Sequence, residues 1–249
     1  MNPLIPPTIR AVILDLHGTL IETRFGPIQP DPESDPTLRQ ILLHGNWRSS
    51  LSVEIPETLL TSPSTALHQA VKNHHATAAT PHPEIDLRDL WRNLLNLPPS
   101  TNTEPLVEEL HSRWNPARWI DGALPALSRL QHAGLHLGIL SNAQHDTLAF
   151  LRPEIHRFTP ELNLFSYQHR IAKPSPTLFS EMRTRLANLN ILPQQTCFIG
   201  NHPTQDIAPA TQAGFHTLLF HPPHITHPPN PIPPAATFTQ WDHILPHQP

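Results

Sequence analysis

Four short apolar segments, each running into a polar or glycine-containing loop, constrain this chain more than any other feature. Residues 9–20 read IRAVILDLHGTL, with the unbroken apolar run Ala11, Val12, Ile13 and Leu14 ending at Asp15. Residues 135–140 (LHLGIL) precede Ser141 and Asn142; residues 196–199 (TCFI) precede Gly200 and Asn201; residues 215–220 read FHTLLF. Continuous apolar runs of this length suit strands buried on both faces of a parallel sheet. Helical patterns lie between them. Residues 121–132 place Leu124, Leu127 and Leu130 at helical spacing before Gly134, and residues 176–189 do the same with Leu178, Phe179, Met182, Leu186 and Leu189. Strand alternating with helix predicts an α/β fold with a doubly wound, Rossmann-like parallel sheet.

Residues 23–118 break that rhythm. They hold 12 of the 32 prolines and four broken helical stretches, 35–43, 64–75, 85–97 and 104–114, each with Leu or Trp at three- and four-residue spacing. The pattern predicts a small α-helical domain inserted after the first strand. Trp47, Trp91, Trp114 and Trp119 fall in it or at its exit, which suits a second core or a substrate-facing surface. From residue 221 the chain is rich in proline and histidine, with His221, His224 and His227 at every third position, the repeat of a polyproline II helix. Residues 236–245, carrying Phe238, Trp241, Ile244 and Leu245, have enough apolar mass to return to the core. The expected division is a core of residues 1–22 and 119–220, an insert of 23–118, and a tail of 221–249 partly packed on the core.

Composition narrows the function. A net charge of −4 with histidine neutral gives no cationic field for nucleic acid or an anionic membrane surface. No run of about 18 apolar residues is present to span a bilayer. The single cysteine, Cys197, cannot form an internal disulfide and no Cys/His ladder suggests zinc, so a reducing cytoplasm is the expected setting. Of 16 basic residues only Lys72 and Lys173 are lysine.

Asp15, Ser141, Lys173 and the stretch 200–206 thus stand just past predicted strand ends or on the loops between them, where open α/β sheets bind ligands. In their order these segments resemble the haloacid dehalogenase (HAD) superfamily. Its first motif, an apolar strand followed by Asp-x-Asp-Gly-Thr-Leu, is matched by residues 15–20 except at His17. Its second, a strand ending in Ser or Thr, is matched by Ser141 and Asn142; its third, Lys before Pro, by Lys173 and Pro174; its fourth, Gly-Asp with a further Asp five residues on, in part by Gly200, Asn201 and Asp206. The resemblance covers residues 9–22 and 119–220, and the insert then resembles the helical cap of many members.

The resemblance implies a hydrolase in which Asp15 is the nucleophile and forms a covalent aspartyl intermediate. Ser141 and Asn142 would bind a phosphoryl or carboxylate oxygen, although Ser141 equally suits capping of the next helix. Lys173 would neutralise charge between nucleophile and substrate, and His17 would take the acid–base role of the family's second Asp. Mg²⁺ would be held by Asp15, the His17 carbonyl, Asn201 and Asp206, weakened because Asn201 is neutral. The implied partner is a small-molecule substrate, with a phosphorylated metabolite as the leading class. Non-acidic residues at 17 and 201 also resemble the family's metal-free dehalogenases, and a catalytically silent, ligand-binding member is the third reading.

Overall fold

The structure, a computed structural model, describes residues 4–24, 28–222 and 231–244. Among the described residues eight strands are formed: β1 (Ala11–Leu14), β2 (Ile21–Thr23), β3 (Ala117–Trp119), β4 (His136–Ser141), β5 (Asn163–Phe165), β6 (Thr196–Gly200), β7 (His216–Phe220) and β8 (Ala236–Phe238). Six of them make one sheet in the order β5-β4-β1-β6-β7-β8, every neighbouring pair parallel. β2 and β3 form a separate two-stranded sheet. All four residues of β1 are fully buried, the condition that produces an uninterrupted apolar run in sequence. From central β1 the chain runs to β4 and β5 on one side, then to β6, β7 and β8 on the other. The order therefore reverses beside β1, which makes the carboxyl end of that strand the switch point.

The helices, in chain order, are α1 (Asp35–His44), α2 (Glu57–Thr61), α3 (Pro63–Thr77), α4 (Leu87–Leu94), α5 (Glu104–Arg113), α6 (Ala123–His132), α7 (His145–Leu151), α8 (Ser166–His169), α9 (Pro176–Asn188) and α10 (Ala208–Gln212). Two differ from the sequence pattern for local reasons. The helical pattern over 121–132 gives a helix that begins only at Ala123, because Gly122 adopts φ +81, a left-handed conformation outside the helix. The pattern over 85–97 contracts to α4 because Asp86 caps it by accepting the Arg88 N–H, and Asn96 turns left-handed beyond its end.

Two compact units result. The first comprises residues 1–22, 119–143 and 153–249 and is centred on the six-stranded sheet. On one face, Leu178, Phe179, Met182 and Leu186 of α9 pack with Ile13, Leu140, Leu164 and Phe198 from the strands. Each such Leu or Phe removed from water contributes about 1.5–3 kcal/mol. The second unit comprises residues 23–118 and, in addition, 144–152. Its core gathers Leu38, Ile41, Trp47, Leu67, Trp91, Leu106 and Leu110, so Trp47 and Trp91 serve packing. Segment 144–152 is held to α5 by His111 Nδ1 and Asp146 Oδ2 at 2.8 Å and by Arg152 on Glu108.

In the proline-rich tail, β8 pairs with β7, and Phe238, Trp241 and Ile244 are buried. His224, His227 and Leu245 lie outside the described residues. No described helix is long and apolar enough to cross a membrane.

Candidate active site

Asp15 follows directly on β1, and its backbone N–H donates to Ile199 O at 2.9 Å, so the sheet ladder extends to the residue itself. Next comes a tight loop. The Leu16 carbonyl accepts from the N–H groups of Thr19, Leu20 and Ile21, while Gly18 N–H donates to Ile21 O at 2.7 Å. Gly18 adopts φ +77, and a β-carbon there would lie 2.2 Å from Asn201 Nδ2. The left-handed φ favours glycine, and any larger residue would also displace the Asn201 amide.

Asp15 is buried, with its side chain 7% exposed, and is gripped by three donors. Ser141, at the end of β4, donates to Oδ1 at 2.8 Å; Lys173 Nζ donates to the same oxygen at 2.7 Å; Thr19 Oγ1 lies 3.2 Å from Oδ2. Ser141 Oγ in turn accepts the Leu16 N–H at 3.4 Å. The Thr19 hydroxyl is also 3.4 Å from Asn201 Oδ1, and its single proton serves one acceptor at a time.

Lys173 stands between α8 and α9. Asn142 fixes its backbone, accepting the Lys173 N–H through Oδ1 at 2.7 Å and donating to its carbonyl through Nδ2 at 3.1 Å. Both ends of the Asn142 amide are therefore engaged with Lys173. The Lys173 ammonium is buried, bridges Asp15 to Asp206, and lies 5.8 Å from the centre of the Phe198 ring. Burial alone would lower its pKa, but the two carboxylates overcome this and hold it above the usual lysine range.

Asp206 sits in a single π-helical turn, Pro203–Ile207, the kind of irregular turn frequently found at functional sites. Its Oδ2 accepts the His202 N–H at 2.9 Å, and its Oδ1 takes Lys173. A β-carbon at Gly200 would come within 2.5 Å of Asp206, so only glycine lets the turn fold back this far. Burial, with Asp15 close by, pushes the Asp206 carboxyl above the usual range against the opposing pull of Lys173. One ammonium faces two carboxylates, and the surplus negative charge makes a carboxyl readier to take a proton.

The structure thus brings together Asp15, Ser141, Lys173 and Asp206, with Asn201 at their edge and Asn142 behind Lys173. His17 is half-buried, and its backbone bridges to Ile21. Thr19 is visible in the sequence only as part of a motif, and its contact with Asp15 emerges from the loop's tightness. Trp241, whose indole Nε1 donates to the Thr19 carbonyl at 3.0 Å, carries no signal of this role beyond apolar mass.

The donor set tests the Mg²⁺ site implied by the sequence. Among the described residues no group of three or more His, Cys, Asp or Glu side chains is placed to hold a metal ion. Each Asp206 oxygen already accepts one donor, while Asp15 Oδ2 and the neutral Asn201 Oδ1 both lie within reach of the Thr19 hydroxyl and so near a common point. Mg²⁺ is ordinarily held by one or two carboxylates together with substrate phosphates. These residues fit the ion only in company with a substrate that supplies oxygens of its own.

A parallel, doubly wound sheet with a buried carboxylate, hydroxyl and ammonium at its switch point defines an α/β enzyme-like core. The sequence matches haloacid dehalogenase-like hydrolases over residues 9–214, and the chain belongs to that family. No curated protein matches it in sequence. Solved structures with the same fold include a HAD phosphatase from Thermococcus onnurineus, 15% identical with a TM-score of 0.58 and 94% of each chain covered. A 2-haloacid dehalogenase from Pseudomonas syringae pv. tomato DC3000 is 19% identical with a TM-score of 0.56, covering 95% of this chain and 96% of its own. The putative HAD-hydrolase YfnB from Bacillus subtilis, bound to magnesium, is 19% identical with a TM-score of 0.55, covering 96% and 99%.

Proposed function

We propose that the chain is a hydrolase with Asp15 as nucleophile, acting through a covalent aspartyl intermediate on a small phosphorylated metabolite. The observation that carries this reading is the grip on Asp15. Ser141 and Lys173 fix one carboxylate oxygen and Thr19 the other, so the group is held in one orientation in a water-poor setting. In the first step a carboxylate oxygen bonds to phosphorus as the bond to the leaving alcohol breaks, and the alcohol oxygen takes a proton from the His17 imidazolium, which becomes imidazole. In the second, water adds to phosphorus, the bond to Asp15 breaks, and His17 takes the water's proton. Inorganic phosphate leaves and the carboxylate is restored.

Lys173 compensates the charge of nucleophile and phosphoryl group, Asp206 holds that ammonium in place, and Asn142 positions it through its backbone. When substrate binds, the Ser141 hydroxyl, which donates to Asp15 Oδ1 in the free protein, turns its one proton to a phosphoryl oxygen. Mg²⁺, held by Asp15, the His17 carbonyl, Asn201 and Asp206, would polarise the phosphoryl oxygens when bound with substrate. The helical segment 23–118, inserted between the first and second motifs, acts as the cap that selects the substrate. The five-residue interval from Asn201 to Asp206 supports a phosphomonoester over other small anions.

One observation favours a second reading, metal-free release of halide from a 2-haloacid: Asn201 and His17 stand where a Mg²⁺-dependent phosphatase would carry acids. The deciding experiment assays the purified chain against phosphomonoesters and 2-haloacids, with Mg²⁺ or chelator, beside Asp15→Asn. Mg²⁺-dependent phosphate release lost in Asp15→Asn is the expected result. Halide release that resists chelation selects the second reading. A chain inert to both that gains Mg²⁺-dependent turnover as the His17→Asp, Asn201→Asp double variant is a silent, ligand-binding member. Undiminished turnover in Asp15→Asn contradicts the nucleophile assignment.

A further inference from the structure

Trp241 lies beyond residues 9–214 that match the family, yet its indole reaches the loop that carries Asp15. The ring is 1% exposed and packs with Phe220 and Phe238, at centroid distances of 5.5 and 5.3 Å. Its backbone is fixed as well: Arg129 donates to the Trp241 carbonyl at 3.1 Å, and a β-carbon on Gly122 would lie 3.2 Å from Trp241 Cβ. β8 anchors the segment through its pairing with β7, reinforced by His221 N–H on Phe238 O at 2.8 Å.

From this rigid base Nε1–H donates to the Thr19 carbonyl at 3.0 Å. Thr19 is fully buried, so that carbonyl needs a partner, and the hydroxyl of the same residue lies 3.2 Å from Asp15 Oδ2. The contact therefore sets where one residue stands along both its backbone and its side chain, and that residue touches the nucleophile.

We propose that Trp241 is a positioning residue that orients Asp15 through Thr19, so that the tail segment is part of the catalytic apparatus. The inference rests on the reading of Asp15 as nucleophile. Trp241→Phe removes the N–H donor while keeping an aromatic ring against Phe220 and Phe238.

The test compares full-length wild type, Trp241→Phe and Asp15→Asn in two arms. The first needs no substrate: amide hydrogen exchange across residues 16–21, and the side-chain carboxyl ¹³C resonance of Asp15, assigned by its disappearance in Asp15→Asn. The second measures kcat and KM with p-nitrophenyl phosphate plus Mg²⁺ and with 2-chloropropionate. In folded Trp241→Phe the loop amides are expected to exchange about tenfold faster and the Asp15 resonance to move. The kcat falls roughly tenfold to a hundredfold, as expected for a misplaced reacting group, and KM stays within about twofold.

An unchanged resonance and unchanged exchange overturn the proposal. So does a displaced resonance with undiminished kcat, which would make the contact merely structural. Undiminished turnover in Asp15→Asn, or a wild type inert to both probes, counts against the nucleophile reading; the resonance then decides the contact by itself. If Trp241→Phe fails to fold, the wild-type indole N–H of Trp241 is followed by hydrogen exchange instead. Protection comparable to that of the amides of residues 16–21 is expected, and exchange as fast as a free indole overturns the proposal.

Discussion

Lys173 Nζ lies 2.7 Å from Asp15 Oδ1, with both groups buried and Asp206 on the ammonium's other side. Removing the positive partner leaves two neighbouring carboxylates in a dry site. Lys173→Met is therefore expected to destabilise the protein by about 3–5 kcal/mol near neutral pH, measured by urea unfolding. The pH dependence has a definite sign. Asp206 already has a raised pKa, so stability linked to its proton is full below the unfolded value near 3.9 and is lost as pH rises through the folded value. Without Lys173 that folded value rises further, and the loss of stability should shrink as pH falls from 7 toward 4. A destabilisation independent of pH would contradict the charge account.

Asp35 anchors the helical unit in the same way with the opposite sign. It is buried at the start of α1 and accepts the Ser64 N–H at 2.8 Å and the Ser62 hydroxyl at 2.9 Å. Burial alone would raise its pKa, but these donors, with Arg39 nearby, bring it below the usual carboxylate range. Its contribution is thus present above the unfolded value near 3.9 and lost as pH falls through the lower folded value. Asp35→Ala should cost about 1–3 kcal/mol at pH 7, and the gap to wild type in thermal unfolding should narrow near pH 3.

Two glycines with different surroundings separate strain from site geometry. Gly200→Ala drives a β-carbon into Asp206 at 2.5 Å; about 1–3 kcal/mol of stability and at least a hundredfold in turnover should be lost. Gly134, at φ +76, has open space for 4 Å around the position a β-carbon would take, so Gly134→Ala should cost only about 1–2 kcal/mol of backbone strain and leave turnover intact. Equal losses of activity in both would mean that Gly200 does not serve Asp206.

On the proposed reading Asn201 is one of the residues that would hold Mg²⁺. Asn201→Asp adds an anionic oxygen beside Thr19 and Asp15 Oδ2 and should tighten Mg²⁺ binding by about tenfold or more, read by calorimetric titration. Unchanged affinity would place any ion elsewhere.

Much of the core is legible in the sequence because β1, β4, β6 and β7 are buried parallel strands, β1 leaving an unbroken apolar run and the others mostly apolar segments that run into polar loops. β5 and β8 do not stand out as strands, since three residues apiece are too few to print a pattern and their pairing comes from the sheet edges on which they dock. Asp15, Ser141, Lys173 and Asp206 are visible through motif spacing. The engagement of Asn142 with the Lys173 backbone is not, because spacing does not encode which way an amide turns. Trp241 lies beyond reach for a similar reason: a hydrogen bond spanning 222 residues depends on where the tail lands.

The most direct test of the central claim is to stop turnover by rapid quenching and weigh the tryptic peptide of residues 11–24, which carries Asp15. With Asp15 as nucleophile, this peptide gains the mass of one phosphoryl group during turnover of a phosphomonoester, and the Asp15→Asn peptide gains none. An unmodified peptide under conditions of steady phosphate release, or a phosphoryl group on any other residue, would contradict that assignment.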